Sequence, residues 1–319
     1  MRHASLLVIG LLLVACKGKD EGEDSATTDT PKAEGELQYA PIVQWDSTYI
    51  DGNRAYYYVP PDPVAMVWAF HGSGMNSGYC SLQETIAVLN ELIVEGFGFA
   101  CAESTDRDTG TWDQFTAPEA NPDIDMLGRL EDQLVQTTDL KRTTPVYALG
   151  FSGGGAMSTF FIDASLSAGR DARASAPHMS SGSPWGRDYI PIIWVIAEND
   201  PQPEAEEAIL DRLDAGAPTE VYHTLERAID ETWFTKNPNV SLEQSTEAFQ
   251  EAIAFGLIDD GGARIIPIEQ VDGWLGQWVQ STEINAPEAR AEELRVAWAL
   301  HRMSGEYARE VRDFFLDFL

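Results

Sequence analysis

A serine set between glycines is the feature of this sequence that points most directly to chemistry. Residues 150–154 read GFSGG, which places Ser152 in a G-x-S-x-G pattern. An apolar, strand-like run (145–150) precedes it and an apolar, helix-like run (157–162) follows. A serine on such a strand-to-helix turn exposes its hydroxyl, and the start of the helix offers backbone N–H groups to a developing oxyanion. We therefore predict that Ser152 is the nucleophile of an acyl-transfer reaction.

A serine hydroxyl is unreactive unless a base removes its proton, and the base needs an acid to orient it. Asp200 and His301 follow Ser152 in the chain order serine, acid, histidine. Asp200 comes just after a predicted strand at 191–197, and it is the favoured acid. Glu198, at the end of the same strand, is the alternative acid.

The base is selected by elimination among five histidines. One lies in the N-terminal apolar segment, one in a His-Gly pair, one after a proline and one within a strand-like run; these are His3, His71, His178 and His223. His301 is expected between a final strand at 294–300 and a terminal helix. His301 is the predicted base, and His223 is its main alternative.

The elements that must position these residues alternate between strand-like and helix-like runs, which predicts an open α/β sheet. Strands are predicted near 42–49, 55–59, 64–70, 97–102, 145–150, 172–176, 191–197, 220–223, 265–268 and 294–300. The first two flank a hairpin turn at 51–53. Helices are predicted over 82–93, 123–135, 157–162 and 204–213, from about 241, and at the C-terminus. Ser81 and Glu84 have the spacing of a capping box for the first helix.

Residues of about 225–290 interrupt this alternation, so we predict that they form an inserted cap segment within a folded domain at 39–319. The chain is 44% hydrophobic, which allows a substantial core. Its 21 basic and 52 acidic side chains give a formal charge of -31, which argues against binding nucleic acid. No metal-binding or nucleotide-binding motif is present, so no metal or cofactor is predicted.

The N-terminus predicts export. Residues 1–15 contain an apolar run too short to span a bilayer, and Cys16 follows Leu13, Val14 and Ala15. These residues resemble a bacterial lipobox, which implies lipidation of Cys16 and attachment to the cell envelope, with the outer membrane favoured. An ordinary cleaved signal peptide is the alternative. Residues 16–38 are acidic and polar and predict a flexible tether. The sequence leaves open whether Cys80 and Cys101 form a disulfide or remain two buried thiols.

The folded region as a whole resembles the α/β-hydrolase superfamily. The runs GFSGGGAM and FHGSGMNSG are most similar to polyhydroxybutyrate depolymerases and feruloyl-esterase-like secreted esterases. The resemblance implies a mostly parallel sheet with helices on both faces, and hydrolysis of a carboxylic ester that is either a small molecule or a polymer. It also implies an oxyanion hole made by the amides of Ser73 and Gly153. His301 departs from the group, because it lies between Leu300 and Arg302 rather than in a Gly-His pair. A serine peptidase of the same fold and a catalytically silent binding lipoprotein are the alternatives, and no oligomeric state is implied.

Overall fold

The computed structural model describes residues 36–185 and 189–319. Within these ranges one sheet contains eight strands, β1 (Asp46–Ile50), β2 (Asn53–Tyr58), β3 (Ala65–Phe70), β4 (Phe97–Ala102), β5 (Val146–Phe151), β6 (Ala172–His178), β7 (Ile192–Ala197) and β8 (Thr219–Thr224). The α-helices are α1 (Gln83–Val94), α2 (Pro122–Thr137), α3 (Gly153–Ser167), α4 (Pro203–Ala215), α5 (Leu242–Phe255), α6 (Val271–Ser281), α7 (Pro287–Ala297) and α8 (Ala308–Asp317). Short 3-10 turns lie at Ser77–Ser81, Pro118–Ala120, Trp233–Lys236 and Ile268–Gln270.

The strand order in the sheet is β1-β2-β4-β3-β5-β6-β7-β8. β2 runs antiparallel to β1 and β4, and the pairs from β4 to β8 are parallel. This is the α/β-hydrolase fold, as the sequence predicted. The carboxyl ends of β3, β5, β6 and β7 meet at one edge of the sheet, where ligands of open α/β sheets bind.

The sheet separates two apolar cores. Alternate side chains of β3 point to opposite faces: one set packs with α1 and α8, and the other with α2 and α3. These sets are Ala65, Val67 and Ala69, and then Met66, Trp68 and Phe70. Because both faces are covered, β3, β4, β5 and β7 are buried along their whole length, which explains their continuous apolar sequences.

The predicted first hairpin is confirmed. Ile50 pairs with Asn53, and the two residues between them have positive φ angles, 52° at Asp51 and 83° at Gly52. Two successive positive φ angles match the twist of a tight hairpin, and Asp-Gly is a sequence that adopts them readily.

The predicted strand at 294–300 is wrong, because these residues belong mostly to α7 and the turn that follows it. Pro287 occupies the first turn, where its fixed φ and missing N–H suit a helix. Ala291, Leu294 and Trp298 are buried at spacings of three and four residues, so one helical face packs inward. His301 therefore follows a helix rather than a strand.

The predicted strand at 265–268 is also wrong. The described chain there has one isolated bridge, between Ile258 and Arg264, and then the 3-10 turn Ile268–Gln270. The short apolar run has no neighbouring strand to pair with, because the sheet ends at β8.

The predicted capping box at Ser81 is wrong as well. Leu82 is the N-cap of α1 and makes no side-chain capping bond, since Ser81 ends the preceding 3-10 turn. Glu84 instead turns inward, and its Oε2 accepts a hydrogen bond of 2.6 Å from the Gly305 N–H. A contact across 221 residues thus replaces the local one.

Residues 229–298 contribute a third apolar cluster, built on α5, α6 and α7. α5 begins as predicted, with a complete capping box between Ser241 and Gln244. The segment follows the edge strand β8 and precedes His301, and its role as a cap stays a prediction.

The predicted signal at 1–15, the lipidation site at Cys16 and the tether up to residue 35 lie outside the described residues. Residues 37–319 form one compact unit. Among the helices of the described ranges, none is both long and apolar enough to cross a membrane.

Candidate active site

Ser152 lies in a strained turn between β5 and α3. Its φ and ψ angles are 55° and -122°, although it carries a side chain. A residue held in such a region costs about 1–3 kcal/mol, which the surrounding structure must offset. The Ser152 N–H donates a 2.9 Å hydrogen bond to the carbonyl of His178 at the end of β6, and its own carbonyl accepts from the Gly155 N–H. The turn is thus fixed from both sides.

Two glycines make this turn sterically feasible. A Cβ atom on Gly150 would lie 1.9 Å from the carbonyl oxygen of Gly154. A Cβ on Gly154 would lie 2.2 Å from the carbonyl oxygen of Phe70 and 2.4 Å from that of His71. These obstacles are backbone atoms that cannot rotate away, so the G-x-S-x-G pattern follows from the close approach of β3, β5 and α3.

The loop after β3 is held by its buried histidine. The N–H of Ser104 donates to His71 Nε2 (3.2 Å), so the Nδ1 nitrogen carries the proton and donates to the Gly72 carbonyl (2.9 Å). Burial lowers the pKa of His71, which keeps the ring neutral. Trp112 Nε1 donates to the His71 carbonyl (2.9 Å), and the two rings pack with centroids 4.8 Å apart. His71 is therefore fixed as a structural residue of this loop.

The two predicted oxyanion residues lie side by side. A Cβ on Gly153 would be 2.5 Å from Ser73 Oγ and 3.5 Å from the Ser73 nitrogen. Gly153 is the first residue of α3, so its N–H has no acceptor within the helix. The Ser73 N–H makes no hydrogen bond to the described part of the chain. Both N–H groups remain available to an anionic oxygen.

Asp200 and His301 are in direct contact, with Asp200 Oδ2 2.5 Å from His301 Nδ1. Burial alone would raise the pKa of Asp200, but hydrogen bonds from His301 and Gln202 outweigh burial and lower it. The aspartate is thus ionised and holds the Nδ1 proton, which leaves Nε2 of His301 as the basic nitrogen.

Backbone and amide hydrogen bonds tie the loop after β7 to the turn after α7. The Asn199 N–H donates to the Ala299 carbonyl (3.0 Å), and Asn199 Nδ2 donates to the Trp298 carbonyl (2.9 Å). Ala299 has a φ of 48°, so the chain turns sharply there before His301. The imidazole then packs on the ring of Phe151, with centroids 5.1 Å apart. Phe151 directly precedes Ser152, so the structure brings histidine, aspartate and serine to one end of the sheet.

The alternative acid and base lie elsewhere. Glu198 is exposed, and its Oε2 accepts from the Glu226 N–H (2.9 Å). His223 is exposed on β8, the edge strand, with its carbonyl bound by the Tyr307 hydroxyl. His178 is fully buried, and burial lowers its pKa to about 4, so its ring is neutral. Of these three, only His178 adjoins Ser152, and it does so through its backbone.

Two site residues were missed by the sequence analysis. Gln202 Nε2 donates a 2.6 Å hydrogen bond to Asp200 Oδ2 and lies 3.3 Å from His301 Nδ1. Asn199 ties the two loops, as described above. Both adjoin the predicted acid in sequence, and that proximity was the only signal that could have indicated them.

The arrangement has the parts of nucleophilic acyl transfer: a half-buried serine on a strained turn, a histidine held by an ionised aspartate, and a pair of available N–H donors. In residues 36–185 and 189–319 no three His, Cys, Asp or Glu side chains are grouped as metal ligands would be.

Comparisons with known proteins gave distant structural likenesses. No protein-family model and no curated protein matches the chain. Similar solved structures include a thermostable esterase, with 15% identity over 56% of this chain and 54% of that chain at a TM-score of 0.40. They also include a bacterial heroin esterase (15% identity, 57% and 74% coverage, TM-score 0.42) and carboxyl esterase 2 of the mycorrhizal fungus Tuber melanosporum (14%, 61% and 82%, 0.40). The alignment thus spans about half the length of the thermostable esterase. At these levels of similarity the function has to be argued from the site itself.

Proposed function

We propose that this protein is a serine hydrolase that cleaves carboxylic esters, with Ser152 as nucleophile, His301 as base and Asp200 as the orienting acid. The observation that carries the proposal is the 2.5 Å contact between Asp200 and His301, whose ring packs on the residue before the strained Ser152. Serine, histidine and aspartate in this relation form a nucleophile with its base already oriented.

In the first half of the reaction, His301 Nε2 takes the hydroxyl proton of Ser152 as Oγ attacks the ester carbonyl carbon. The N–H groups of Ser73 and Gly153 receive the negative charge that develops on the carbonyl oxygen. Each such donor stabilises the transition state by about 3 kcal/mol. The imidazolium then gives its proton to the departing alkoxide as the C–O bond breaks, which leaves an acyl group on Ser152.

In the second half, a water molecule takes the place of the alcohol. His301 removes a proton from the water as its oxygen attacks the acyl carbon, and the returned proton restores the Ser152 hydroxyl. Asp200 stays ionised throughout and stabilises each imidazolium. The protein's own residues therefore suffice for both steps.

Hydrolysis of p-nitrophenyl esters of increasing acyl length tests the proposal. Because runs 70–78 and 150–157 resemble the depolymerase and feruloyl-esterase group, the series also includes a 3-hydroxybutyrate oligomer and a feruloyl ester. We expect Ser152→Ala and His301→Gln to lower kcat at least about 1,000-fold, and Asp200→Asn to lower it by a similar factor.

The matched controls are His223→Gln and Glu198→Gln, which change the alternative base and acid. Both should keep kcat within about twofold of the unchanged protein. Loss of activity in either control, with activity retained in His301→Gln or Asp200→Asn, would contradict the assignment. A folded protein that cleaves p-nitroanilides of peptides but no ester would be a peptidase instead.

We also propose that Cys16 carries a lipid that attaches the enzyme to the bacterial envelope, with the outer membrane favoured. The support is the order of Leu13, Val14, Ala15 and Cys16 after an apolar run. Radiolabelled palmitate should be incorporated by the unchanged chain and not by Cys16→Ser. Incorporation by both chains would contradict the proposal.

A further inference from the structure

A cavity of about 270 Å³ lies between the start of α1, the face of α7 that carries Glu292, Glu293 and Val296, and the segment that follows His301. Its apolar wall includes Leu82, Val296 and Met303. Acidic side chains from both helices, Glu84, Glu292 and Glu293, line the rest together with Arg302. The cavity is large enough for a small organic molecule, and its composition combines an apolar wall with carboxyl groups.

Glu293 is the unusual member of this lining. It is only 8% exposed, and its Oε2 has no hydrogen-bond partner among the described residues. A buried carboxyl oxygen without a partner costs stability, so native proteins usually pair such atoms with protein, water or a ligand. The unpaired oxygen indicates that a hydrogen-bond donor belongs in the cavity.

The other acids of the cavity are already paired. Glu84 accepts from the Gly305 N–H at 2.6 Å and lies 3.4 Å from Lys236 Nζ. Glu292 bonds to Arg295 at 2.7 Å and also pairs with Arg302. Of the three acids that line the cavity, Glu293 is therefore the one with an unpaired carboxyl oxygen among the described residues.

The cations near Glu293 are also occupied. Lys236 Nζ lies 3.6 Å from the ring centroid of Trp233 and 5.2 Å from that of Tyr39, in addition to its pairing with Glu84. Arg290, one turn earlier on α7, has its guanidinium 5.6 Å from the ring centroid of Phe234. These groups weaken the repulsion among the carboxylates but leave the Glu293 oxygen unsatisfied.

The protonation state of Glu293 follows from these surroundings. Burial, with a further contribution from Glu84, raises its pKa to about 8, while Lys236 and Arg290 act in the opposite direction. At neutral pH the carboxyl group is then mostly protonated. A positively charged donor would favour the ionised form and form a charge-assisted hydrogen bond with it.

The geometry points to a binding site for a primary alkylammonium group: the ammonium donates to the Glu293 carboxylate, and the alkyl stem packs on Leu82, Val296 and Met303. An anion would meet three carboxyl groups, and a purely apolar ligand would leave the Glu293 oxygen unpaired. The ligand has two sources, an ammonium carried by the ester substrate or a separate amine. The first source rests on the proposed hydrolase function. It agrees with the position of the cavity, because Arg302 and Met303 directly follow His301.

Calorimetric titration of the full chain with n-butylammonium chloride tests the binding site, with n-butanol and butyrate as neutral and anionic analogues. We expect saturable binding of the ammonium alone, with a Kd of about 0.1–10 mM for so small a ligand. Since Glu293 must ionise, the affinity should rise about tenfold per pH unit from pH 6 towards 8 and then level off.

Three variants decide the assignment. Glu293→Gln should weaken binding at least about tenfold, which is one charge-assisted hydrogen bond. Ala289→Phe, an exposed position on the cavity rim, should block entry while Glu293 stays in place. Glu288→Gln, an exposed glutamate on the same helix, is the matched control and should bind as the unchanged chain does. Absence of binding by the unchanged chain, or equal binding by all three variants, overturns the proposal.

Two further measurements separate this site from the hydrolase function. Ser152→Ala should bind butylammonium with the same Kd as the unchanged chain. The binding result is therefore independent of whether the proposed hydrolase activity is found. If the ammonium belongs to the substrate, p-nitrophenyl 6-aminohexanoate should be hydrolysed with a higher kcat/KM than its N-acetylated analogue, and Glu293→Gln should remove the preference. Amine binding without this preference supports a separate amine as the ligand.

Discussion

The two halves of the candidate active site are positioned by different forces. The elbow region, residues 65–167, places Ser152 and the two candidate oxyanion N–H groups through backbone contacts between adjacent elements. At Gly150 and Gly154 these contacts are so close that a Cβ atom would not fit. The C-terminal region, residues 198–303, places His301 through side-chain hydrogen bonds from Asn199 and with Asp200, and through a turn at Ala299. The elbow region therefore requires glycine, which has no side chain, at two positions. The C-terminal region requires particular hydrogen-bonding side chains.

This difference has consequences for tolerance to substitution. Backbone atoms in a sheet cannot move aside, so one added methyl group in the elbow region should act on stability and activity together. Hydrogen-bonded side chains in the C-terminal region contribute in small increments, so their removal should alter catalysis with little effect on folding.

The largest expected effect is that of Gly154→Ala. Its Cβ would lie 2.2 Å from the Phe70 carbonyl oxygen, so β3 and α3 would have to separate. We expect a loss of more than about 4 kcal/mol in the free energy of unfolding, together with loss of the proposed esterase activity. Thermal and urea unfolding measure the first, and p-nitrophenyl acetate hydrolysis the second.

Gly128→Ala is the matched control, because Gly128 lies within α2 and a Cβ there meets nothing within 4 Å. This change should stabilise the protein by about 0.5–1 kcal/mol through the lower conformational entropy of the unfolded chain. If the two glycine variants behave alike, steric exclusion does not set the elbow.

A second prediction concerns the disulfide between Cys80 and Cys101, which settles the alternative left open by the sequence. It joins the 3-10 turn that follows the loop after β3 to β4, with a sequence separation of 21 residues. Replacing both cysteines with alanine should lower the free energy of unfolding by about 3 kcal/mol, or the Tm by about 6–9 °C. Scanning calorimetry measures this change.

The same double variant sharpens the comparison between the regions. If backbone contacts alone place Ser73 beside Gly153, kcat/KM at a temperature well below the Tm should change less than about threefold. A larger drop would show that the elbow region also needs its covalent bond.

The contrast between the regions also explains what the sequence could predict. The elbow is local: β5, Ser152 and α3 are contiguous, and the glycines that permit the turn lie within five residues of one another. The pattern therefore carried its own structural context, and the strand and helix predicted around it are confirmed. The open α/β sheet followed from the alternation of elements, and the resemblance of the motifs to α/β-hydrolases implied the particular fold.

In the C-terminal region the sequence was ambiguous. Leu294, Val296 and Trp298 alternate as in a strand, while Ala291, Leu294 and Trp298 have helical spacing. The segment forms a helix because α7 packs within the third apolar cluster. The local sequence pattern does not show that packing. Glu84 shows the same problem, since its partner Gly305 lies 221 residues away. Gln202 and Asn199 belong to no motif and became apparent only through their contacts.

A third prediction places pH sensitivity in the C-terminal region. The pKa of Glu293 is about 8 in the folded protein and 4.5 in the absence of burial. Between these values the folded state binds the proton more tightly than the unfolded state, so the contribution of Glu293 to stability is full below pH 4.5 and is lost as the pH rises to about 8. Glu293→Gln removes this dependence. The Tm of the variant minus that of the unchanged chain should therefore increase by at least about 3 °C from pH 5 to pH 8.5.

Taking the difference between the two proteins cancels the other titrating groups, including His178. Glu288→Gln is again the control, and its Tm difference should stay flat over the same range. A flat difference for Glu293→Gln would mean that this carboxyl group has an ordinary pKa and that the cavity is well hydrated.

The smallest expected change in stability comes with a specific change in catalysis, for Gln202→Ala. Gln202 donates to the same Asp200 oxygen that holds His301, so it acts as a positioning residue. Its loss should leave the Tm within about 2 °C and lower kcat/KM about tenfold, which corresponds to one hydrogen bond of about 1.4 kcal/mol. Because the lost hydrogen bond had lowered the pKa of Asp200, that pKa should rise. A carboxylate that has lost one donor binds the protonated imidazole of His301 more strongly, so the acid limb of the pH–kcat/KM profile should move to higher pH.

A purely structural role for Gln202 would lower the amount of active enzyme without moving the acid limb, so the profile separates the two explanations. Gln280→Ala, an exposed glutamine on α6, provides the control for the substitution itself. If Gln202→Ala instead loses several kcal/mol of stability, the C-terminal half of the site is as rigidly determined as the elbow. The hydrogen bonds that surround Asp200 and His301 would then contribute to folding as strongly as the steric contacts of the elbow do, and the distinction between steric and side-chain positioning would not hold.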